Sequence, residues 1–196
     1  MSTENQESVP DSHPKKTTWK EKLWEGVRVF FVPIAIVFLI RFYIAQPFIV
    51  KGESMEPNFE DHEYLIVDEL TPVLQPLERG TVIVFRYPLQ PSDFFIKRVI
   101  GLPKEHVSIK NGEITINTSD KKTLVLSESY LARGTVTKDD GEFDVPENNY
   151  FVLGDNRSFS LDSRRFGFLS KKFVVGRAYI RLWPPQRMGF MHAAEY

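Results

Sequence analysis

Apolar residues follow two different patterns along the chain, one near the N-terminus and one in the rest of the sequence. Residues 1–18 are polar and show no apolar periodicity, so we expect this segment to be a disordered cytoplasmic tail. The 19 residues 27–45 are then almost wholly apolar, which is enough for a helix that crosses a bilayer. We therefore predict that residues 19–46 form a juxtamembrane and transmembrane anchor.

A buried core helix and a cleavable signal peptide are the alternatives to a retained anchor. A core helix is usually amphipathic, whereas this run is apolar on all its faces. A signal peptide ends at a cleavage site between small residues, whereas Ala45 is followed by glutamine and Pro47. Basic residues precede the run and few follow it closely. This bias predicts a single-pass protein that contacts lipid, with residues 47–196 on the extracytoplasmic or lumenal side.

Beyond the apolar run, short segments rich in β-branched and aromatic residues alternate with turn residues. Asn111-Gly112 is a strong signal for a two-residue hairpin turn. No long amphipathic helix is indicated, so we predict a mostly β domain over residues 47–196, built as a strongly bent antiparallel sheet or barrel. The clearest predicted strands are residues 64–70, 81–87, 94–101, 106–117, 149–154 and 173–183.

Charge and composition exclude several classes of function. The 25 basic and 26 acidic residues nearly cancel, so the chain has no basic surplus for binding nucleic acid. It has no cysteine, which excludes disulfides, thiolate catalysis and zinc–thiolate sites. Its four histidines are scattered and form no metal-binding pair. We therefore expect neither a metal nor another cofactor, and no pattern in the sequence sets an oligomeric state.

Ser54 stands among turn-forming residues just beyond the apolar run, in "VKGESMEPNF". A serine hydroxyl is a poor nucleophile unless a base lies within hydrogen-bond reach. Histidine is the most familiar base, and His62 and His106 are candidates, although neither lies in a recognisable motif. The surrounding residues do not match the G-x-S-x-G turn of other serine hydrolases, since Glu56 replaces the second glycine.

A neutral lysine is the other base that can activate a serine. The ordinary lysine pKa is about 10.4, and burial among apolar residues can lower it by several units. Lys97 lies in "DFFIKRVIGLP", where strand alternation points Ile96 and Arg98 to one face and Lys97 to the other. Lys97 then faces either an apolar cleft or solvent. The pattern alone favours solvent, the ordinary position of a lysine on an amphipathic strand.

A third stretch of interest, residues 150–169, reads "YFVLGDNRSFSLDSRRFGFL". Strand-like residues enter a Gly-Asp-Asn turn, and serines, acids and arginines follow. The ordinary interpretation is a solvated loop. Because the stretch lies between two apolar strands, its dense donors and acceptors can instead order a site through ion pairs and hydroxyl groups.

Together, the three stretches resemble the type I signal peptidases, which are membrane-bound serine/lysine proteases. The resemblance rests on "GESMEPNF", "FFIKRVIGLPKE" and "GDNRSFSLDSRRFG" in that order, and on the preceding apolar run, "RGTVIVFRYP" and "GRAYIRLWP". It covers most of the chain and matches the smaller members of the family, without a large second domain between Lys97 and Gly154. It implies that Ser54 is the nucleophile and Lys97 the general base.

The resemblance also assigns supporting residues. Ser160 matches a serine whose hydroxyl orients the lysine amine. Two ion pairs are expected to hold the last loop against the catalytic strand: Arg98 with Asp155, and Asp162 with Arg164. Many family members carry a serine two residues before the nucleophile, whose hydroxyl helps to stabilise the oxyanion. Gly52 stands at that position here, so this side-chain donor is missing.

The substrates that the resemblance implies are signal-peptide-bearing pre-proteins, cut after an Ala-x-Ala-like site. An extended substrate would add as a strand beside the "PFIV" or "FFIK" segment. The residues that match the family's shallow apolar pockets are Phe48, Val50, Met55, Phe59, Val84, Phe95 and Ile96.

Two other functions remain open from the sequence. A self-cleaving serine/lysine protein would have the same fold, but such relatives are soluble and carry a DNA-binding or partner segment, whereas this chain has an apolar run and no basic patch. A tethered β-domain without catalysis would use the same motif residues only as turn formers. Activity that rises with the deprotonation of a lysine distinguishes an enzyme from such a domain.

Overall fold

The computed structural model describes residues 19–43 and 45–196, and the predicted tail, residues 1–18, lies outside this range. The helix α1, Trp19–Tyr43, occupies most of the segment that was predicted as an anchor. Among the residues that the structure describes, none of the helices combines the length and the apolar character that a bilayer crossing requires.

Residues 45–196 form a mostly β structure, as the sequence predicts. Two short helices, α2 (Thr71–Leu74) and α3 (Ser163–Phe166), and two single 3-10 turns, Lys171–Phe173 and Pro185–Arg187, are inserted between strands. The strands are β1 (Ala45–Ile49), β2 (Tyr64–Asp68), β3 (Val82–Tyr87), β4 (Gln90–Gly101), β5 (His106–Lys110), β6 (Glu113–Asn117), β7 (Thr123–Val125), β8 (Gly141–Asp144), β9 (Asn149–Leu153), β10 (Leu169–Ser170), β11 (Val174–Trp183) and β12 (Gly189–Phe190).

The strands form two antiparallel sheets. The larger sheet has eight strands in the order β1-β2-β11-β3-β4-β9-β10, with β12 added beside β11, and the smaller has the order β7-β6-β5-β8. Within the described strands the larger sheet does not close, because β1 and β10 lie at its two ends. The barrel that the sequence analysis allowed is therefore wrong, and the antiparallel sheet is confirmed.

β4 is the strand that positions the site, because its two halves have different partners. Gln90 and residues 94–98 pair with β3 on one side, with Ile83 opposite Lys97. On the other side, β9 pairs only from Arg98 onward, where Arg98 lies opposite Leu153. The first half of β4 therefore has an open edge among the described strands.

Each predicted strand corresponds to one or two strands of the structure, and Asn111 and Gly112 form the predicted hairpin turn with φ values of 52° and 85°. The first strand was missed. β1 begins at Ala45, within the residues assigned to the anchor, because its apolar sequence is continuous with that of α1. The short strands β7, β8, β10 and β12 were also missed, since so few residues carry no reliable periodicity.

Candidate active site

Ser54 and Lys97 lie side by side although 42 residues separate them in the chain. Lys97 Nζ is 2.6 Å from Ser54 Oγ and 2.9 Å from the carbonyl oxygen of Ile96. The Lys97 residue is only 3% exposed, so the interpretation that it faces solvent is wrong. Strand alternation failed as a guide to burial here, because both faces of β4 are covered at this point and Ile96 and Arg98 are buried too.

Burial lowers the pKa of the Lys97 amine from its ordinary value of 10.5 to about 8. The charges of Asp162 and Asp155 act in the opposite direction and keep the pKa from falling further. A lysine on a solvated surface is almost wholly protonated at pH 8, whereas this amine is close to half neutral. Its lone pair is therefore available to accept the proton of Ser54 Oγ.

Ser54 lies in a loop between β1 and β2, residues 50–63, which we name the serine loop. The loop is closed at its base, where Val50 N donates to the Glu63 carbonyl and His62 N donates to the Val50 carbonyl, both at 2.9 Å. Gly52 N donates to Asp61 Oδ1 at 2.8 Å. Gly52 has a φ of 86°, a conformation that a residue with a side chain rarely adopts.

The turn after β9 holds Ser54 from the other side. Asn156 N donates to the Ser54 carbonyl at 3.1 Å, and Asn156 Nδ2 donates to the Glu53 carbonyl at 3.1 Å. A Cβ atom added at Gly154 would lie 2.5 Å from the Ser54 carbonyl oxygen, so only glycine fits this approach. Neither Asn156 nor Gly154 was predicted as a site residue, although both lie in the Gly-Asp-Asn turn of the stretch 150–169.

Arg98 and Asp155 form the buried ion pair that the resemblance implies. Arg98 Nε and Nη2 donate to the two Asp155 oxygens at 2.8 and 2.6 Å, and Asn58 Nδ2 donates to Asp155 at 2.8 Å. Burial alone would lower the pKa of Arg98, but the hydrogen bonds and charge of Asp155 outweigh burial and raise it. Tyr130 covers the guanidinium at 4.2 Å and was not found by sequence reasoning.

Asp162 and Arg164 are the second pair brought together. Asp162 accepts from Arg164 Nε and Nη2 at 2.9 and 2.8 Å and also caps the N-terminus of α3. Gly154 N donates to Asp162 Oδ2 at 3.1 Å, which ties this pair to the turn beside Ser54. Arg164 Nη2 donates to the Arg157 carbonyl at 2.7 Å. The stretch 150–169 is thus an ordered scaffold rather than a solvated loop.

Ser160 lies near the dyad but does not make the hydrogen bond that was expected. Its Oγ is buried and has no partner among the described residues, so it does not contact Lys97 Nζ in this conformation. A Cβ added at Gly154 would lie 2.2 Å from Ser160 Oγ. Ser160 therefore packs against the same glycine that approaches the Ser54 carbonyl.

A cleft of about 650 Å³ opens in front of the dyad. Five of the seven predicted pocket residues line it: Phe48, Val50, Val84, Phe95 and Ile96. Met55 and Phe59 do not, because both are 1% exposed and belong to the hydrophobic core cluster that also contains Val50 and Val84. Cleft residues that the sequence analysis missed include Ile49, Leu65, Phe94, Phe159 and Leu161.

The histidines considered as bases have other contacts. His106 lies in the smaller sheet, where its ring nitrogens are 2.7 Å from Asp144 and 2.6 Å from Glu142. His62 Nδ1 is 2.6 Å from Asp61 on the exposed surface of the serine loop. Lys97 is therefore the base candidate that the fold brings to Ser54.

Known proteins are similar in sequence to this chain over most of its length. A probable signal peptidase I-2 from Synechocystis is 33% identical over 189 residues, 93% of this chain and 84% of the relative. Signal peptidase I from Bacillus amyloliquefaciens is 33% identical over 88% of this chain and 95% of the relative.

A crystal structure of a signal peptidase I from Enterococcus faecalis aligns with 53% of this chain and 97% of its own, at 33% identity and a TM-score of 0.45. The family model described as signal peptidase, peptidase S26, matches residues 23–183. The chain therefore belongs to the peptidase S26 family, the family of the signal peptidases.

Proposed function

We propose that this protein is a membrane-bound endopeptidase that removes signal peptides from translocated pre-proteins after an Ala-x-Ala-like site. The observation that carries the proposal is the 2.6 Å contact between Ser54 Oγ and a buried Lys97 amine whose pKa is about 8. Nucleophilic catalysis by serine requires such a pairing of hydroxyl and base.

In the proposed reaction, Lys97 Nζ takes the Ser54 proton as Oγ attacks the carbonyl carbon of the scissile peptide bond. The tetrahedral intermediate collapses when Lys97 returns that proton to the leaving amine, which departs as the new N-terminus of the mature protein. Water then attacks the acyl-serine ester, with Lys97 again accepting a proton and passing it to Ser54 Oγ. The signal peptide leaves with a free carboxylate.

The oxyanion of the intermediate needs a hydrogen-bond donor near Ser54. We assign the Ser54 backbone N–H to this role, since Gly52 has no side chain to donate. One such donor is typically worth about 3 kcal/mol of barrier. The φ of 86° at Gly52 means that Gly52→Ser adds backbone strain along with a hydroxyl, so its proper control is Gly52→Ala.

Two ion pairs and one hydroxyl group are proposed to position the dyad. Arg98–Asp155 and Asp162–Arg164 fix the turn that holds the Ser54 carbonyl, and the charges of both carboxylates act on the Lys97 amine. A neutral amine has two N–H groups, and the Ile96 carbonyl accepts only one of them. We assign Ser160 Oγ as the acceptor of the other after rotation of its side chain.

Substrate binding is proposed to use the cleft and the two open strand edges beside it. The edge of β1 and the first half of β4 both border the cleft and have unpaired backbone groups among the described strands. An extended peptide can pair with these edges while its small side chains enter shallow apolar pockets lined by Phe48, Val84 and Ile96. Larger side chains would be rejected by steric clash.

The membrane anchor is also part of the proposal. Residues 29–40 of α1 are apolar and lie shortly before β1 in the sequence, and Lys15, Lys16, Lys20, Lys22 and Arg28 precede them. We propose that α1 crosses the membrane once, with the N-terminus in the cytoplasm and residues 47–196 on the extracytoplasmic or lumenal side, where translocated pre-proteins emerge.

The test is cleavage of a precursor by the purified full-length protein in detergent. Wild type should release a product whose new N-terminus follows the Ala-x-Ala site. Ser54→Ala should release none, and Lys97→Ala should be slower by about 10⁴-fold, the upper range for removal of a general base. The rate for wild type should rise with pH through about 8, as the Lys97 amine becomes neutral.

His62→Ala and His106→Ala are matched controls, because both remove a residue that sequence reasoning admitted as the base. Each should retain wild-type kcat, and all variants should keep the thermal unfolding profile of a folded protein. Substantial cleavage by Lys97→Ala, or loss of cleavage in either histidine variant, would contradict the assignment of the base.

A further inference from the structure

A charged cluster lies at the base of the serine loop, away from the cleft. It consists of Glu60, Glu63, Arg181 and Arg187, and we name it the arginine brace. Arg181 Nε is 2.9 Å from Glu63 Oε2, and Arg187 Nη1 is 3.1 Å from Glu63 Oε1 and also contacts Glu60. The two arginines come from β11 and the 3-10 turn after it, so the brace joins the last part of the chain to the serine loop.

Both arginines of the brace also bind the backbone of the serine loop. Arg181 Nη2 donates to the Asn58 carbonyl. Arg187 Nη2 donates to the carbonyls of Pro57 and Asn58 at 2.8 and 3.0 Å. These carbonyls lie three and four residues after Ser54. Hydrogen bonds from a charged donor are about twice as strong as those between neutral groups, so two guanidinium groups hold this turn firmly.

The brace is buried more deeply than a surface ion pair. The Glu63 side chain is 1% exposed and that of Arg181 8%. Burial raises the pKa of Glu63 and lowers that of Arg181, in each case against the attraction of the partner. Burying a charged pair is often no more stabilising than filling the same space with apolar residues. Stability alone is therefore a weak explanation for charges at this place.

The two members of the dyad are held by different means. Lys97 is fixed by the pairing of β4 with β3, in the middle of the larger sheet. Ser54 lies in a loop, and the contact of Phe59 N with the Met55 carbonyl at 2.9 Å links the braced turn to the residue next to Ser54. Arg181 also lies 5.0 Å from the Phe59 ring. Loosening the brace would move Ser54 and leave Lys97 in place.

We propose that Arg181 and Arg187 are positioning residues that set the place of Ser54 Oγ opposite Lys97, through the carbonyls of Pro57 and Asn58. The role of Ser54 as nucleophile rests on the proposed function. A displacement of about 1 Å in a catalytic group can reduce the rate about 10²-fold. The brace does not touch the cleft, so its loss should reduce kcat and leave KM nearly unchanged.

The experiment compares Arg187→Ala and Arg181→Ala with wild type in steady-state cleavage of a precursor. The Arg187 side chain is 28% exposed, and without it Glu63 keeps Arg181 as a partner, so Arg187→Ala should fold. We expect kcat to fall about 10-fold in Arg187→Ala and about 10²-fold in Arg181→Ala, with KM within about twofold. Arg187→Lys should recover part of the loss, since lysine keeps the charge but not the forked geometry.

Two control variants separate positioning from stability. Arg177→Ala removes an arginine from the same strand, where it pairs with Asp68 at 2.9 Å, and should keep wild-type kcat. Arg79→Ala breaks a buried pair with Glu105 outside the serine loop. It should lower the unfolding temperature but leave kcat unchanged at temperatures where the protein is folded. The midpoint of the pH–rate profile should stay the same in Arg181→Ala and Arg187→Ala, because burial and the charges of Asp162 and Asp155, which set the Lys97 pKa, do not depend on the brace.

Hydrogen exchange supplies a readout that does not depend on cleavage. The amides of Glu56 and Phe59, which close the turn after Ser54, should exchange faster in Arg187→Ala, while the amides of β4 should not change. Wild-type kcat and wild-type exchange in a folded Arg187→Ala variant would overturn the proposal, whatever the fate of Arg181→Ala. Failure of the wild type to cleave would instead overturn the proposed function, and exchange alone would then decide whether the brace holds the loop.

Discussion

Lys97 and Arg98 are neighbouring cations on β4, both buried, and their surroundings treat their charges in opposite ways. Arg98 faces the turn after β9, where Asp155 binds it through two hydrogen bonds and its pKa is raised. Lys97 faces the cleft, where a serine hydroxyl and a carbonyl oxygen are its partners and burial lowers its pKa. Adjacent residues of β4 thus carry a permanent positive charge, at Arg98, and an amine that can lose its proton, at Lys97.

This contrast shows how a fold can lower the pKa of a lysine that lies close to carboxylates. The charges of Asp162 and Asp155 raise the pKa of Lys97 less than burial lowers it, and each carboxylate is bound directly to an arginine of its own. The positive charge of each arginine opposes the field of its own carboxylate at the amine. Desolvation then dominates at Lys97, and the amine can act as a base near neutral pH.

The largest effect is expected from Lys97→Met, which replaces the amine that loses its proton with an apolar side chain. Cleavage should fall by about 10⁴-fold, yet the folded protein should become more stable at pH 7. Burial lowers the pKa of Lys97 from 10.5 to about 8. At every pH where the amine is charged in both the folded and the unfolded protein, this shift makes the folded state about 3 kcal/mol less stable than it would be with an unshifted lysine. Denaturant unfolding of wild type and variant at pH 7 measures this gain.

The pH dependence of the free energy of unfolding tests the lowered pKa of Lys97 in a second way. Between pH 8 and 10.5 the unfolded chain binds more protons at Lys97 than the folded protein does, so wild-type stability should rise through this window. In Lys97→Met this rise should be absent. A variant that is less stable than wild type at pH 7 would show that apolar burial of Lys97 does not set its pKa.

The next largest effect is expected from Asp155→Asn, which removes the partner of the permanently charged Arg98. This change leaves Arg98 buried without its counter-charge, which should cost about 3 to 5 kcal/mol of stability. Removal of the carboxylate also removes a field that raises the pKa of Lys97, so the acidic limb of the pH profile of kcat/KM should move below pH 8.

Arg98→Gln reverses that experiment, because it leaves the Asp155 charge without its arginine. The acidic limb should then move above pH 8, opposite to its movement in Asp155→Asn. A shift in the same direction in both variants would mean that the two residues act on Lys97 through packing and not through charge.

A smaller effect is expected at Gly154, which lies between the two sides of the site. In Gly154→Ala, the added Cβ meets Ser160 Oγ at 2.2 Å and the Ser54 carbonyl oxygen at 2.5 Å, so the serine loop must shift. Overpacking of this kind costs about 1 to 3 kcal/mol, and kcat should fall with the displacement of Ser54. Gly189→Ala is the matched control, since nothing lies within 4 Å of its added Cβ. Equal stability and kcat in the two variants would contradict the close approach at Gly154.

The parts of this structure that the sequence predicts are those with local signals. The periodicity of each longer strand and the Asn111-Gly112 turn depend on neighbouring residues, and both were predicted correctly. Ser54 and Lys97 could be proposed because each lies in a distinctive short context, a turn-rich segment and an apolar strand. Their contact itself is a matter of tertiary structure.

The parts that were missed or misplaced depend on packing between distant segments. Met55 and Phe59 have the apolar character of pocket residues, and only the fold shows that they lie in the core. Arg181 reaches the carbonyl of Asn58 across 123 positions of the chain, and no spacing rule links the two. Ser160 was given a partner by resemblance, but its rotamer places the hydroxyl elsewhere.

The open edges of β1 and β4 have a consequence for the behaviour of the protein in solution. Unpaired strand edges are the places where folded β proteins aggregate, because any exposed strand can pair with them. Each of these edges contains a proline, Pro47 or Pro91, which has no N–H to offer an incoming strand, and β4 adds the charge of Asp93. The same two strand edges must therefore bind an extended substrate and yet disfavour pairing with a second copy of the protein.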